Sequence, residues 1–185
     1  SVFVPAEYGI VTELYAYVAF LNILYIYGLE TAYFRFSSES GGSNYFNLAF
    51  TSILFSSLLF SGFIWLFSDP IADVLQYPDK AHFIQWLAII LAIDAIVAIP
   101  FARLREIGKA KRFAIFKLSN IGINIFLNLF FILWCPNILQ ANPESFLGHV
   151  YDPELGVGYV FLSNLIANGL YLIFFIPQWI KVMKD

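Results

Sequence analysis

Residues 83–112 read FIQWLAIILAIDAIVAIPFARLREIGKAKR, an apolar stretch over 83–101 followed by a run dense in Lys and Arg. Drawn as a helix, 83–101 is hydrophobic around its whole circumference, as expected of a helix surrounded by lipid or other helices rather than half in water. Its length is close to the ~20 residues that cross a hydrocarbon core. A strand reading fails twice. The stretch does not alternate as barrel strands do, and an open sheet leaves backbone N–H and C=O groups unpaired in hydrocarbon. The basic run that follows is the mark of a cytoplasmic flank.

Working outward, four more stretches have the same character, 11–34, 45–67, 113–134 and 157–180, which with 83–101 predict an all-α membrane protein of five transmembrane helices. The composition agrees: 60% hydrophobic and 12% charged over 185 residues, with mean hydropathy +0.75. Soluble domains carry about 25% charged residues, so a buried five-helix soluble bundle is the weaker alternative. A net charge of -3 offers no basic surplus for nucleic acid. Cys135 has no intrachain disulfide partner, and with His82 and His149 it makes no Cys/His zinc set unless carboxylates join. No cofactor is expected.

The connections carry turn residues, at Ser38 to Asn44, Asp69-Pro70, Tyr77-Pro78-Asp79, Gly108, and Pro136 to Gly156 with its three prolines. Their charges set an orientation. Arg103, Arg105, Lys109, Lys111 and Arg112 against Glu106 leave +4 after the third span, whereas Asp69, Asp73, Asp79 and Lys80 leave -2, and Glu144, Asp152 and Glu154 leave -3. Helix parity puts Arg35, Lys181 and Lys184 on the side of the +4 loop, which is therefore cytoplasmic, with Asp185, while both acidic loops lie outside. The sequence starts at Ser1 without a basic n-region and cleavable apolar segment, and reads as a piece of a longer protein.

Polar groups within spans are costly and so select for a cavity or a partner. Asp94 is mid-span in the third helix; it is either a proton- or cation-responsive group lining a pathway or a hydrogen-bonded residue between helices. Lys117, Asn120, Asn124 and Asn128 fall within roughly 80° of arc on the fourth helix. Those amides suit sugar hydroxyls or interhelical bonds, and Lys117 either belongs to a wet face or snorkels to the cytoplasmic interface. Asn164, Asn168 and Tyr171 share a face of the fifth helix, and Tyr15 and Asn22 one side of the first. Near the inner end of the first span lie Glu30, a second ion-coupling candidate with Asp94, and Arg35, which is either a bidentate phosphate ligand or a flank residue. Ser52 with Ser56, and Ser57 with Ser61, are spaced for close helix packing, and Tyr8, Tyr45, Trp65, Trp86, Trp134 and Trp179 mostly lie toward span ends, as interfacial anchors do.

Three motifs carry a family resemblance. Val4-Pro5-Ala6-Glu7-Tyr8-Gly9, then Tyr27-Gly28-Leu29-Glu30-Thr31-Ala32-Tyr33-Phe34-Arg35-Phe36, resemble the opening of the Wzx-type oligosaccharide flippases. These belong to the polysaccharide biosynthesis family of the multidrug/oligosaccharidyl-lipid/polysaccharide exporter superfamily. Ile99-Pro100-Phe101-Ala102-Arg103-Leu104-Arg105 through Lys109-Ala110 is similar to that family's cytoplasmic connection between its fourth and fifth helices. The resemblance implies that the five spans are the second through sixth helices of an N-terminal lobe covering 1–185 only in part, the first helix and the C-terminal lobe lying elsewhere. It implies a lipid-linked oligosaccharide as partner, the inner (plasma) membrane as location, and no enzymatic step. Arg35 and Lys117 would attract a diphosphate, and Asn120, Asn124, Asn128, Asn164 and Asn168 would meet sugar. No family motif covers Asp94 or the Asn residues.

Two other functions fit the residues less well. A multidrug/cation antiporter of the same superfamily would use Asp94 as its ion site. A polytopic membrane transferase needs clustered acids or an acid with His at one face, and its candidates are Asp69, Asp73 and Asp79, or His149 with Asp152.

Overall fold

In the computed structural model, residues 5–40, 43–141, 147 and 151–182 are described, and among them the chain is helical with short turns. In chain order the helices are α1 (Pro5–Ile26), α2 (Leu29–Ser40), α3 (Ser43–Leu66), α4 (Ser68–Val74), α5 (Ala81–Glu106), α6 (Ala110–Leu129), α7 (Cys135–Ala141) and α8 (Gly158–Val182). Five segments are long and apolar enough to cross a membrane: Glu7–Ser37, Tyr45–Leu66, Pro78–Glu106, Ala110–Ala141 and Gly158–Pro177. The chain is an all-helical, multi-pass membrane protein. Val4, His149, the centre of the Ser38 to Asn44 turn, most of 142–150 and Asp185 lie outside the described residues, as do the side chains of Trp179 and Lys181 and the whole of Lys184.

Three expected boundaries are corrected. The stretch 11–34 is two helices rather than one, because Tyr27 (φ 34°) and Gly28 (φ 75°) are both left-handed and end α1 before α2 begins. Glycine takes this conformation freely and tyrosine rarely does, so the break is imposed by the Gly and by packing on either side. The expected connection from Pro136 also starts too early. The helix persists to Ala141 through a π-helical turn at Phe130–Trp134. Pro136 has no N–H to give the carbonyl one turn back, and a widened turn accommodates its ring without breaking the rod. The third span likewise extends through its basic flank to Glu106, with Arg103 and Arg105 in the last turn, where cations favour a helix C-terminus.

The third span is the hub. Most of the membrane-spanning part of α5 is buried against other helices, whereas almost none of the rod from α6 to α7 is. Around it α1, α2 and α3 close one core cluster with Tyr25, Phe46, Ile53, Leu91 and Ile99, and α8 closes another through Val97, Phe101, Tyr171 and Phe175. A third cluster, Leu14, Phe83, Leu87 and Phe161, ties α1, α5 and the start of α8 together at the end carrying the acidic connections.

The small hydroxyls of α3 act as packing residues. Ser61 Oγ donates to the Ala88 carbonyl at 2.7 Å and accepts from Tyr25 Oη at 2.8 Å, so the backbones of α3 and α5 approach closely. The outer surface is the reverse of a soluble protein's. On α6, Ile115, Leu118, Ile121, Ile125 and Leu129 are exposed, while Lys117, Asn120, Asn124 and Asn128 turn to the half-buried side packed on α8 and α5. An apolar exterior over a polar interior is stable only where the surroundings are hydrocarbon.

Candidate functional site

Asp94 is at the middle of α5, about 18 Å from Glu106 at 1.5 Å per residue. A carboxylate there has no route to bulk water along its own helix, and the neighbouring helices supply its partner. Asn168 Nδ2 on α8 donates to Asp94 Oδ1 at 3.1 Å, and Asn120 Nδ2 on α6 donates to Asn168 Oδ1 at 3.0 Å. One amide thus serves as donor to α5 and acceptor from α6, joining three helices in a relay. Asn164 Nδ2 makes the parallel bond to Tyr15 Oη on α1 at 2.8 Å. Asn128 turns back on its own helix, donating to Asn124 Oδ1 at 2.6 Å and to the Asn124 carbonyl at 2.9 Å.

Replacing Asn168 by Leu should therefore cost about 1–2 kcal/mol, since it removes two interhelical bonds and leaves Asp94 with a lost donor. Reversible denaturation in mixed micelles measures this. A variant as stable as the parent would show that the relay does not hold the helices together.

On the +4 side of Asp94 the helices separate around a cavity of about 280 Å³ lined by Asn22, Glu30, Asp94, Phe101, Arg105 and Lys117, among others. The Lys117 ammonium lies over the rings of Phe101, 5.0 Å from the centroid, and Tyr171, 5.3 Å away. It interacts electrostatically with Asp94 and forms no hydrogen bond to a described residue, so its three N–H donors point at ring faces and open space. Tyr171 Oη and Asn22 Oδ1 are buried without a partner among the described residues. Polar atoms left unsatisfied at membrane depth are expensive.

The rim at the basic end is an ion pair. Arg105 Nη2 on α5 is 2.6 Å from Glu30 Oε1 on α2. Next to it, Tyr33 Oη donates to Glu106 Oε2, and the Arg103 guanidinium sits 4.3 Å from the Phe46 ring centroid. The opposite end carries its own closure, where Tyr77 Oη donates to Glu13 Oε2 at 2.7 Å.

Of the residues singled out from the sequence, Asn22, Glu30, Asp94 and Lys117 share this cavity. Asn120, Asn164 and Asn168 are engaged in interhelical bonds beside it, and Asn124 and Asn128 bond one another. Arg35 is exposed on α2 and reaches the Phe36 ring at 6.0 Å; it is not among the residues lining the cavity. Arg105 is the residue that sequence reasoning assigned only to topology. The sequence shows only that Glu30 and Arg105 carry opposite charges at the same end of the first and third spans, which does not say that the two meet.

Taken together, the described residues form a multi-pass helical bundle with a small cavity that holds both cations and carboxylates. The sequence profile of the polysaccharide biosynthesis protein family matches residues 2–139, three quarters of the chain, and the chain belongs to that family. No curated protein and no solved structure matches it.

Proposed function

We propose that this chain is part of the N-terminal lobe of a flippase. Its substrate is a polyprenyl-diphosphate-linked oligosaccharide, moved from the cytoplasmic to the outer leaflet of the inner membrane for polysaccharide assembly of the O-antigen or capsule type. The cavity carries the reading. In a polysaccharide biosynthesis protein, Lys117 holds an ammonium with unspent donors inside the membrane, beside polar atoms that lack partners. No bond is broken in such a process. The chemistry is recognition and alternating access between two lobes.

In this scheme Lys117 attracts the diphosphate within the cavity, and Arg35, exposed on α2 at the basic end, is its first contact outside. Asn120, Asn124, Asn128, Asn164 and Asn168 exchange their bonds to one another, to Tyr15 and to Asp94 for sugar hydroxyls as helices separate. Asp94 and Glu30 are the ion-coupling groups. The two carboxylates in the cavity also favour a second reading, a cation antiporter. Flux of a labelled lipid-linked sugar against flux of a cationic dye, in vesicles holding the intact protein, separates the two.

Arg35→Lys should impair export more than Lys181→Arg does. Lysine keeps the charge but loses the planar fork that holds a diphosphate by paired bonds, whereas a flank position needs only a cation. The measurement is complementation of surface glycan with expression matched by blotting. Full export by Arg35→Lys would reduce Arg35 to a flank residue.

A further inference from the structure

The four ionisable groups of the cavity are balanced: Arg105 and Lys117 against Glu30 and Asp94. An incoming dianion would therefore meet a site of zero net charge, and it can pair with a resident cation only by displacing the carboxylate that already holds that cation. The two carboxylates are not equally held. Asp94 is fastened by Asn168 in the middle of the hub helix, whereas Glu30 is half-exposed in the first turn of α2, immediately after the left-handed pair Tyr27 and Gly28.

Arg105 is equally available for exchange. Its Nη2 bonds Glu30, its Nε makes a long 3.4 Å contact with the Phe101 carbonyl, and its Nη1 donates to no described residue. The guanidinium plane is held independently by the Phe34 and Phe113 rings, 5.3 and 5.1 Å from their centroids. A guanidinium fixed in position by aromatic faces, with part of its fork unspent, offers bidentate geometry to a phosphate. Glu30 also has an alternative when released, because a carboxylate in the first turn of a helix is favoured by the helix dipole.

We infer that Glu30 is a built-in competitor for Arg105. Its carboxylate occupies the guanidinium while the cavity is empty, and the diphosphate of a lipid-linked ligand displaces it and takes the same Arg. This rests on the proposed lipid-diphosphate substrate and adds to it the group that must leave when the substrate enters. The exchange is local. Tyr33 and Glu106 continue to tie α2 to the end of α5, so loss of the Glu30 contact does not release the helix.

The test is binding of farnesyl diphosphate to the purified intact protein in detergent micelles by titration calorimetry, with farnesol as the uncharged control. Glu30→Gln preserves size and should tighten binding about threefold to fivefold, the worth of a half-exposed ion pair that no longer has to be broken. Arg105→Gln should weaken binding at least about tenfold, the loss of a charge-assisted contact. The double variant should bind as Arg105→Gln alone, because a competitor has no effect once its target is gone. Arg105→Lys, which keeps the cation, provides a second variant should Arg105→Gln lose its fold, and it should fall between the parent and Arg105→Gln.

A conventional stabilising pair predicts the opposite sign for Glu30→Gln, through a less ordered Arg105. Unchanged or weaker binding by Glu30→Gln, or tightening that survives in the double variant, overturns the exchange while leaving the transport reading intact. A parent protein that fails to bind farnesyl diphosphate yet moves labelled lipid-linked sugar in vesicles also overturns the exchange alone. One that does neither overturns both.

Discussion

Gly158→Val should prevent the bundle from assembling. Gly158 opens α8 where that helix meets α5 and the turn before it, and a Cβ built there lies 2.6 Å from Phe83 Cε1 and 2.8 Å from both Leu155 Cγ and Cδ1. Contacts that short do not exist between unstrained atoms, so something must move. Phe83 cannot. It is fully buried, with Phe161 at 5.0 Å and Trp86 at 5.9 Å between ring centroids, and the Lys80 ammonium lies 5.4 Å from its own centroid.

Overpacking of a filled core costs about 1–3 kcal/mol, and a β-branched side chain at a helix–helix crossing belongs at the upper end. Gly169, on the same helix but with no atom within 4 Å of its notional Cβ, is the control, and Gly169→Ala should be tolerated. The measurement is the monodisperse fraction by size-exclusion chromatography, together with the melting temperature in detergent. A Gly158→Val protein that elutes and melts like the parent would mean that α8 does not enter the bundle at this crossing.

Lys117→Met should abolish most glycan export while leaving the fold standing. The methionine side chain is unbranched and one heavy atom shorter than lysine's, so its flexible thioether keeps the apolar stem packed beside Phe101 and Tyr171 while removing the ammonium. What disappears is the positive charge facing Asp94 and the cavity. A charge-assisted contact to a phosphate is worth about 1.5–3 kcal/mol, so transport should fall about tenfold to a hundredfold. Lys117→Arg should recover a substantial part of it. Complementation with expression and melting temperature matched to the parent distinguishes lost recognition from lost folding. Full export by Lys117→Met would leave the ammonium as a packing cation and remove the observation on which the proposed function stands.

Residues 83–112 show how far sequence carries and where it stops. Membrane crossing, the number of spans and the basic and acidic ends follow from composition and period, because hydrocarbon requires every backbone group to be paired within its own helix and so leaves little for tertiary structure to choose. The inward orientation of the Asn120 to Asn128 stripe was legible for the same reason, since amides turned to lipid lose their partners. The break at Tyr27 and Gly28 was harder to see. A hydrophobic window runs through it unchanged, and a left-handed pair depends on what packs on either side rather than on local polarity. Pro136 misled in the other direction, since a proline that usually ends a helix is here absorbed by a π turn.

By itself, then, the sequence determined the solvent, the number of crossings and the family motifs, all of which depend on local composition integrated along a span. Only tertiary structure decided which polar groups meet. Glu30 and Arg105 are 75 positions apart and Asp94 and Asn168 are 74 apart, and nothing in either local pattern records the partner. Helix rotation and crossing angle are set by side-chain packing around α5, and it is this packing that puts the Lys117 ammonium over Phe101 and Tyr171. The chemistry of the cavity is a property of that packing, because an ion pair or an amide bond requires two helices to present their polar faces at the same depth.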